Sequence, residues 1–150
     1  ATAISNEQTD SQIKESLGKG RFLLSTSSSG NIKVEQDINS LHTFTADKNY
    51  NFSKNRVIRT LDEIGTTTCI TWEDSYMGKV DNNGTGRSIF KGDLIAYGTE
   101  LQRINGIQEF EGADDITITQ GSDLDAVIVE WNIKPVDSME KLYMSVNVKG

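Results

Sequence analysis

Residues 116–134 read Ile-Thr-Ile-Thr-Gln-Gly-Ser-Asp-Leu-Asp-Ala-Val-Ile-Val-Glu-Trp-Asn-Ile-Lys, and this stretch decides the fold. Ile116 and Ile118 alternate with Asp115, Thr117 and Thr119. After a turn at Gln120-Gly121-Ser122-Asp123, Val127, Val129, Trp131 and Ile133 alternate with Ala126, Ile128, Glu130, Asn132 and Lys134. Successive strand side chains point to opposite faces, so each run offers one apolar face and one mostly polar face. Beyond Pro135-Val136-Asp137-Ser138 the alternation returns in Leu142, Met144, Val146 and Val148. Three consecutive strands are therefore expected between Asp115 and Lys149. The last of them leaves a free edge, and an edge of unpaired N–H and C=O groups is a template for another chain.

Ahead of these strands the period changes to that of a helix. Phe90, Leu94, Tyr97, Leu101 and Ile104 follow steps of three and four, with Ser88 as the expected cap and Asn105-Gly106 as the stop. Fully burying five such side chains would contribute about 1.5–3 kcal/mol each before chain entropy is counted. Met77 to Arg87, rich in glycine and asparagine, reads as a mobile connector. Before it, Val57, Leu61, Ile64, Thr68, Trp72 and Tyr76 form a second helical stripe, with Ser53 as the expected cap. Gly65 followed by three threonines is weak helix chemistry and marks where a break or kink would fall.

Nearer the start, Asp10 is placed as the N-cap of a short helix carrying Ile13 and Leu17 and closed by Gly18 and Gly20. Phe22 with Leu24, and Ile32 with Val34, keep strand alternation across Ser-Ser-Gly-Asn, which is a hairpin signal. Asp37 to Thr45 allows an extension of the second strand, residues 46–52 read as loop, and residues 1–9 as a polar lead-in. Helix stripes and sheet faces must cover one another, giving an α+β fold of two layers, with long helices packed on a mainly antiparallel sheet.

A chain of 150 residues fits one domain, 1–150, with a core of its own. The net charge of −7 argues against a broad nucleic-acid or anionic-membrane surface. No apolar run approaches the roughly 18 residues a membrane-spanning helix needs, and no basic start followed by an apolar run is visible. A soluble intracellular domain is expected, one either processed or cut from something longer.

Catalytic chemistry finds little support. His42 is the only histidine, which excludes a two-histidine metal site. Cys69 sits in a threonine-rich patch and reads as a small buried thiol, with His42 an ordinary surface residue. Gly84-Thr-Gly86-Arg87-Ser88 before a helix resembles an anion-binding turn but lacks the phosphate-loop spacing. Asp81-Asn82-Asn83-Gly84 offers oxygen ligands without the spacing of a calcium loop. Asp114-Asp115 and Asp123 with Asp125 could act as paired carboxylates, yet both sets flank strand ends, where turns favour aspartate. Lys54, Arg56 and Arg59, with Arg87 and Lys91, form local basic faces in an acidic protein. No enzyme and no cofactor are expected.

Several stretches together resemble one family. Gln36-Asp37-Ile38-Asn39-Ser40-Leu41, Lys54-Asn55-Arg56-Val57-Ile58-Arg59, Tyr76-Met77-Gly78-Lys79-Val80-Asp81-Asn82 and Pro135-Val136-Asp137-Ser138-Met139-Glu140-Lys141 are similar, in order, to elements of contractile phage tail sheath proteins. The type is that of Gram-positive phages, prophages and phage-tail-like bacteriocins. Members are usually much longer, so the chain resembles the C-terminal domain alone. The resemblance implies structural work, with subunits ringing a tail tube, tied to their neighbours by exchanged strands, and contracting on a baseplate signal. The implied partners are neighbouring sheath subunits, the tube protein and the baseplate, with no nucleic acid and no membrane. The implied location is a tail assembled in the bacterial cytoplasm.

On that basis the inter-subunit edge is expected at Leu142, Tyr143, Met144, Ser145, Val146, Asn147 and Val148, with Asp115 to Thr119 as a second candidate. Tube docking is expected at Arg87, Lys91 and Arg103, because a helix against an acidic tube would carry positive charge. Two rivals stand beside this expectation: a tail-associated adaptor that does not polymerise, and a domain binding or cleaving cell-wall carbohydrate through the acidic residues near 114–125.

Overall fold

The computed structural model describes residues 8–149. Contacts gather into two compact units, one of residues up to Ile58 together with those from Asp137 onward, the other Arg59–Val136. The fold is α+β: long helices with small antiparallel two-stranded sheets in place of one larger sheet.

In the first unit, helix α1 spans Asp10–Gly18. Thr9, rather than Asp10, is its N-cap, in a capping box with Gln12. Strands β1, Leu24–Thr26, and β2, Ile32–Val34, form the expected hairpin in register Leu24↔Val34 and Thr26↔Ile32. Gly30 makes its turn with φ of 81°, a region where a side chain would strain the backbone. The strand does not continue through Asp37–Thr45. Instead Ile38 forms an isolated antiparallel bridge with Lys54, and Asn39 N–H donates to Ser53 O at 2.8 Å. A short 3-10 turn, Tyr50–Ser53, leads into helix α2, Asn55–Ser75.

Ser53 does not cap α2; its hydroxyl donates back to Tyr50 O at 2.7 Å. Extended Lys54 precedes the helix, and the Asn55 N–H finds Asp37 O at 3.1 Å. That bond satisfies one donor a helix start leaves open. α2 runs unbroken through Gly65 and the three threonines. Tertiary burial of Ile64 (5% exposed) on its stripe and of Tyr76 (4%) just past its end outweighs the weak local propensity.

In the second unit, helix α3 runs Gly84–Arg103 and starts one turn before Ser88. Asn83 is its cap, with Oδ1 accepting the Gly86 N–H at 2.9 Å. Ser88, already inside the helix, donates to Gly84 O at 2.8 Å. Phe90, Leu94 and Leu101 are buried and Tyr97 half-buried as the stripe requires, but Ile104 is exposed because the helix ends at Arg103 and Ile104 is its C-cap.

Strands β3, Ile107–Gln108, and β6, Lys134–Pro135, pair antiparallel, and a single turn of helix, α4, covers Gly112–Asp115. β4, Ile116–Gln120, pairs with β5, Val127–Trp131, in register Ile116↔Trp131, Ile118↔Val129 and Gln120↔Val127. That register puts Ile116, Ile118, Val129 and Trp131 on one face, as the alternation predicts. They pack with Tyr76, Phe90 and Leu94 into one cluster, while Ile64, Leu101 and Ile107 centre a second. Gly98 lets α3 pass close to Phe110, since a Cβ there would lie 2.4 Å from the ring.

The expected third strand is absent. Residues 141–149 carry no regular structure and no backbone hydrogen bond to another described residue. A strand exists only through its ladder, so the alternation declares a capacity that a partner edge must realise.

Candidate functional site

The C-terminal segment falls into a held root and a free tail. In the tail, Leu142 is 86% exposed, Tyr143 89%, Met144 78%, Val146 76% and Val148 93%, with Ser145 and Asn147 exposed between them. Exposed apolar side chains in one segment are a surface that a partner could cover. The tail also presents its whole backbone, so it can both pair and fill pockets.

The root, Asp137 to Lys141, is tied down within the first unit. Lys54 Nζ lies 3.2 Å from Asp137 Oδ2 and bonds the Glu140 carboxylate. The other Glu140 oxygen accepts the Asp37 N–H at 3.1 Å. Arg56 Nη1 donates to Ser138 Oγ at 3.2 Å. Lys141 Nζ stands 5.1 Å from the centre of the Tyr50 ring and 3.3 Å from its hydroxyl, a cation–π placement at the mouth of the tail. Burial by itself would lower the Lys54 pKa, but its bonds to Glu140 and Asp137 outweigh burial and the net direction is upward. The ammonium is therefore charged, and its two counter-charges both come from the root.

An open groove of about 630 Å³ in this unit is bordered by Ile13, Leu17, Ile38 and Tyr50 along with the start of the tail. Asp10, Lys33 and Glu35 share its wall, a mixture that suits a length of polypeptide better than an apolar small molecule.

The three basic residues expected at a docking face lie on α3 with local bonds already made. Arg87 donates to Asn82 Oδ1 at 2.8 Å and Asn82 O at 3.2 Å. Asn82 in turn donates to Leu124 O and Ala126 O, tying the connector to the β4–β5 turn. Lys91 Nζ donates to Ala113 O at 2.6 Å. Arg103 makes a two-pronged bond with Glu100 at 2.7 and 2.6 Å, which raises its own pKa and lowers that of Glu100. Arg87 and Lys91 sit one turn apart on one side of the helix. Arg103 lies about 18 Å beyond Lys91 and roughly 120° around the axis, so the helix does not gather all three on one face.

The other candidates resolve into local roles. Cys69 is exposed, not buried, because it lies one position off the Ile64–Thr68–Trp72 stripe. His42 Nδ1 lies 3.0 Å from Ser40 O. Asp115 Oδ2 accepts the Glu111 N–H at 2.7 Å and Asp123 O accepts the Ala126 N–H at 3.1 Å, both turn-making bonds. At the start of α3 the Gly86 N–H is taken by Asn83, leaving fewer donors for an anion. Among the described residues no group of three or more His, Cys, Asp or Glu is arranged to hold a metal, and no helix is long and apolar enough to cross a membrane.

The anchored root was missed in the sequence. Its signal was present, since Lys54, Asp137 and Glu140 all stand in the quoted motifs, but Lys54 and Asp137 are 83 positions apart in the chain.

Comparison with known proteins agrees with this architecture. The family described as phage tail sheath C-terminal domain matches residues 47–149. The phage-like element PBSX protein XkdK of Bacillus subtilis is 38% identical over 91% of this chain and 31% of its own length. The crystal structure of a sheath tail protein from Desulfitobacterium hafniense superposes with a TM-score of 0.83 at 42% identity, over 99% of this chain and 34% of that one. A sheath tail protein from Listeria innocua gives 0.78 at 31% identity, over 96% of this chain and 34% of that one. The chain thus spans about a third of these relatives. With the matched family covering both the aromatic core and the C-terminal segment, this chain belongs to the phage tail sheath C-terminal domain family, a structural family rather than an enzymatic one.

Proposed function

We propose that the chain works as part of a contractile tail sheath, polymerising around a tail tube and linked to neighbouring subunits through Leu142–Val148. The observation that carries this reading is the tail itself: alternating, apolar, exposed and unpaired, yet rooted in a charged cluster. Backbone pairing suits a joint that must persist while rigid bodies rotate, because the ladder moves with its donor segment. Asp115–Thr119, the last residue of α4 and most of β4, is the second candidate for such pairing, since the sheet of β4 has two strands among the described residues.

Arg87, Lys91 and Arg103 are the proposed contacts to the tube, with Arg87 and Lys91 as one patch and Arg103 as a separate one. The tube, the baseplate and sister subunits are the partners this reading requires, in a phage or phage-like tail particle. Deleting residues 142–150 from the full-length sheath protein, followed by electron microscopy, tests the joint. Helical tubes are expected from the intact protein and dispersed subunits from the truncation; tubes from both overturn it. Charge reversal at Arg87 and Lys91 is expected to weaken co-sedimentation with tube while subunit linkage persists. Unchanged co-sedimentation removes that docking face.

A further inference from the structure

Lys54 is fixed by its backbone. Its N–H donates to Asn51 O at 3.1 Å, its carbonyl accepts the Ile58 N–H at 3.1 Å as the first bond of α2, and its neighbours Ser53 and Asn55 make the bonds of the bridge opposite Ile38. Its side chain is only 4% exposed, so the ammonium has little water to turn to. Its ion-pair partners among the described residues are Asp137 and Glu140, both from the root of the tail. Peeling the root away would strand a desolvated cation, which is far costlier than separating an exposed ion pair. Glu140 doubles the attachment by accepting the Asp37 N–H, and Asp37 O in turn accepts from Asn55 at the helix start.

We propose that Lys54, Asp137 and Glu140 form an electrostatic anchor that fixes where the C-terminal tail leaves the protein and resists its being pulled away. Lys54 is the fixed post, and the carboxylates are the moving half. Ser138 on Arg56 and Lys141 on Tyr50 steer the segment between and beyond them. The tail beyond Leu142 can then reorient without its load passing into the strand pairs of the protein. Only this last consequence rests on the reading of the tail as an inter-subunit joint; the anchor is a property of the single chain.

The test uses the whole chain, dilute and unassembled, so its outcome is separate from whether sheaths form. Lys54→Met removes the charge at similar length, and Lys54→Arg restores it. Trypsin cleavage after Lys141 is expected to quicken roughly tenfold or more in Lys54→Met, with the Asp37 amide losing its exchange protection. Both are expected to return toward normal in Lys54→Arg. Amides of the Ile116–Trp131 ladder are expected to stay protected throughout. If Lys54→Met loses that ladder as well, Glu140→Gln decides, because the neutral amide keeps the shape and the Asp37 bond while removing a charge at a less buried position. Cleavage at the original rate, in the variant whose ladder is intact, overturns the anchor.

Discussion

The two units of this chain are held together by different physics. In Arg59–Val136 the interior is Ile64, Tyr76, Phe90, Leu94, Leu101, Ile107 and Ile116, each at most 5% exposed, with Trp72, Phe110 and Trp131 packed around them. In the other unit the buried apolar side chains are Ile38 and Val57, beside buried Ser16, Ser53 and Lys54. Apolar burial is non-directional and adds up over many contacts. A buried ammonium contributes only while named partners stay in place. The aromatic unit therefore rests on many interchangeable contacts, and the polar one on a few specific partners.

The most forceful way to break this comparison is at the centre of the aromatic unit. Leu94→Ala is expected to cost about 2–5 kcal/mol in urea unfolding, since Leu94 is 1% exposed and its removal leaves a cavity. A loss well below that range would mean the unit is loosely packed. Gly98→Ala should cost about 1–3 kcal/mol in thermal unfolding, because the added methyl would press into the Phe110 ring 2.4 Å away. A smaller cost would show that Phe110 yields easily.

Alkali sharpens the contrast, since Lys54 in one unit and Tyr76 in the other each keep a proton more tightly when folded. Lys54 has its pKa raised above the ordinary 10.5 because its bonds to Glu140 and Asp137 outweigh desolvation. Its contribution is complete below that value and is lost as pH rises through the folded pKa. Tyr76 is pushed from 10.0 up to about 12, first by burial and then by its hydrogen bond to Asp93. Above 10 the unfolded chain gives up this proton first, so stability again falls with rising pH. The difference in phenolate absorbance between the native chain and Tyr76→Phe is expected to appear near 12; appearance near 10 would place Tyr76 in water. Exchange at the Asp37 amide reports the Lys54 side of the same titration.

Removing residues 142–150 is the smallest expected effect. The tail's backbone pairs with no other described residue, so thermal stability should change by less than about 0.5 kcal/mol, while association is lost. A large drop would show that the tail serves its own fold.

The β4–β5 hairpin was legible because its alternation, its turn and its partner all lie within twenty residues. α2 and α3 were legible from their stripes, with starts misplaced by a few residues because Asn83 and Lys54, not Ser88 and Ser53, stand at the boundaries. Local bonds decide such boundaries, and several residue types compete for them. Ile107–Gln108 with Lys134–Pro135 was not visible, since two-residue strands have no period.

By itself the sequence determined which segments are amphipathic, where the chain turns, and which family its motifs resemble, because these depend on neighbours in the chain. Only the tertiary structure decided that Leu142–Val148 stays unpaired, that Cys69 faces solvent, and that a lysine at 54 is neutralised by carboxylates at 137 and 140. Those outcomes depend on distances between residues far apart in sequence. Alternation can say that a strand is able to form, but the hydrogen-bonding edge that would complete it is a matter of position in space.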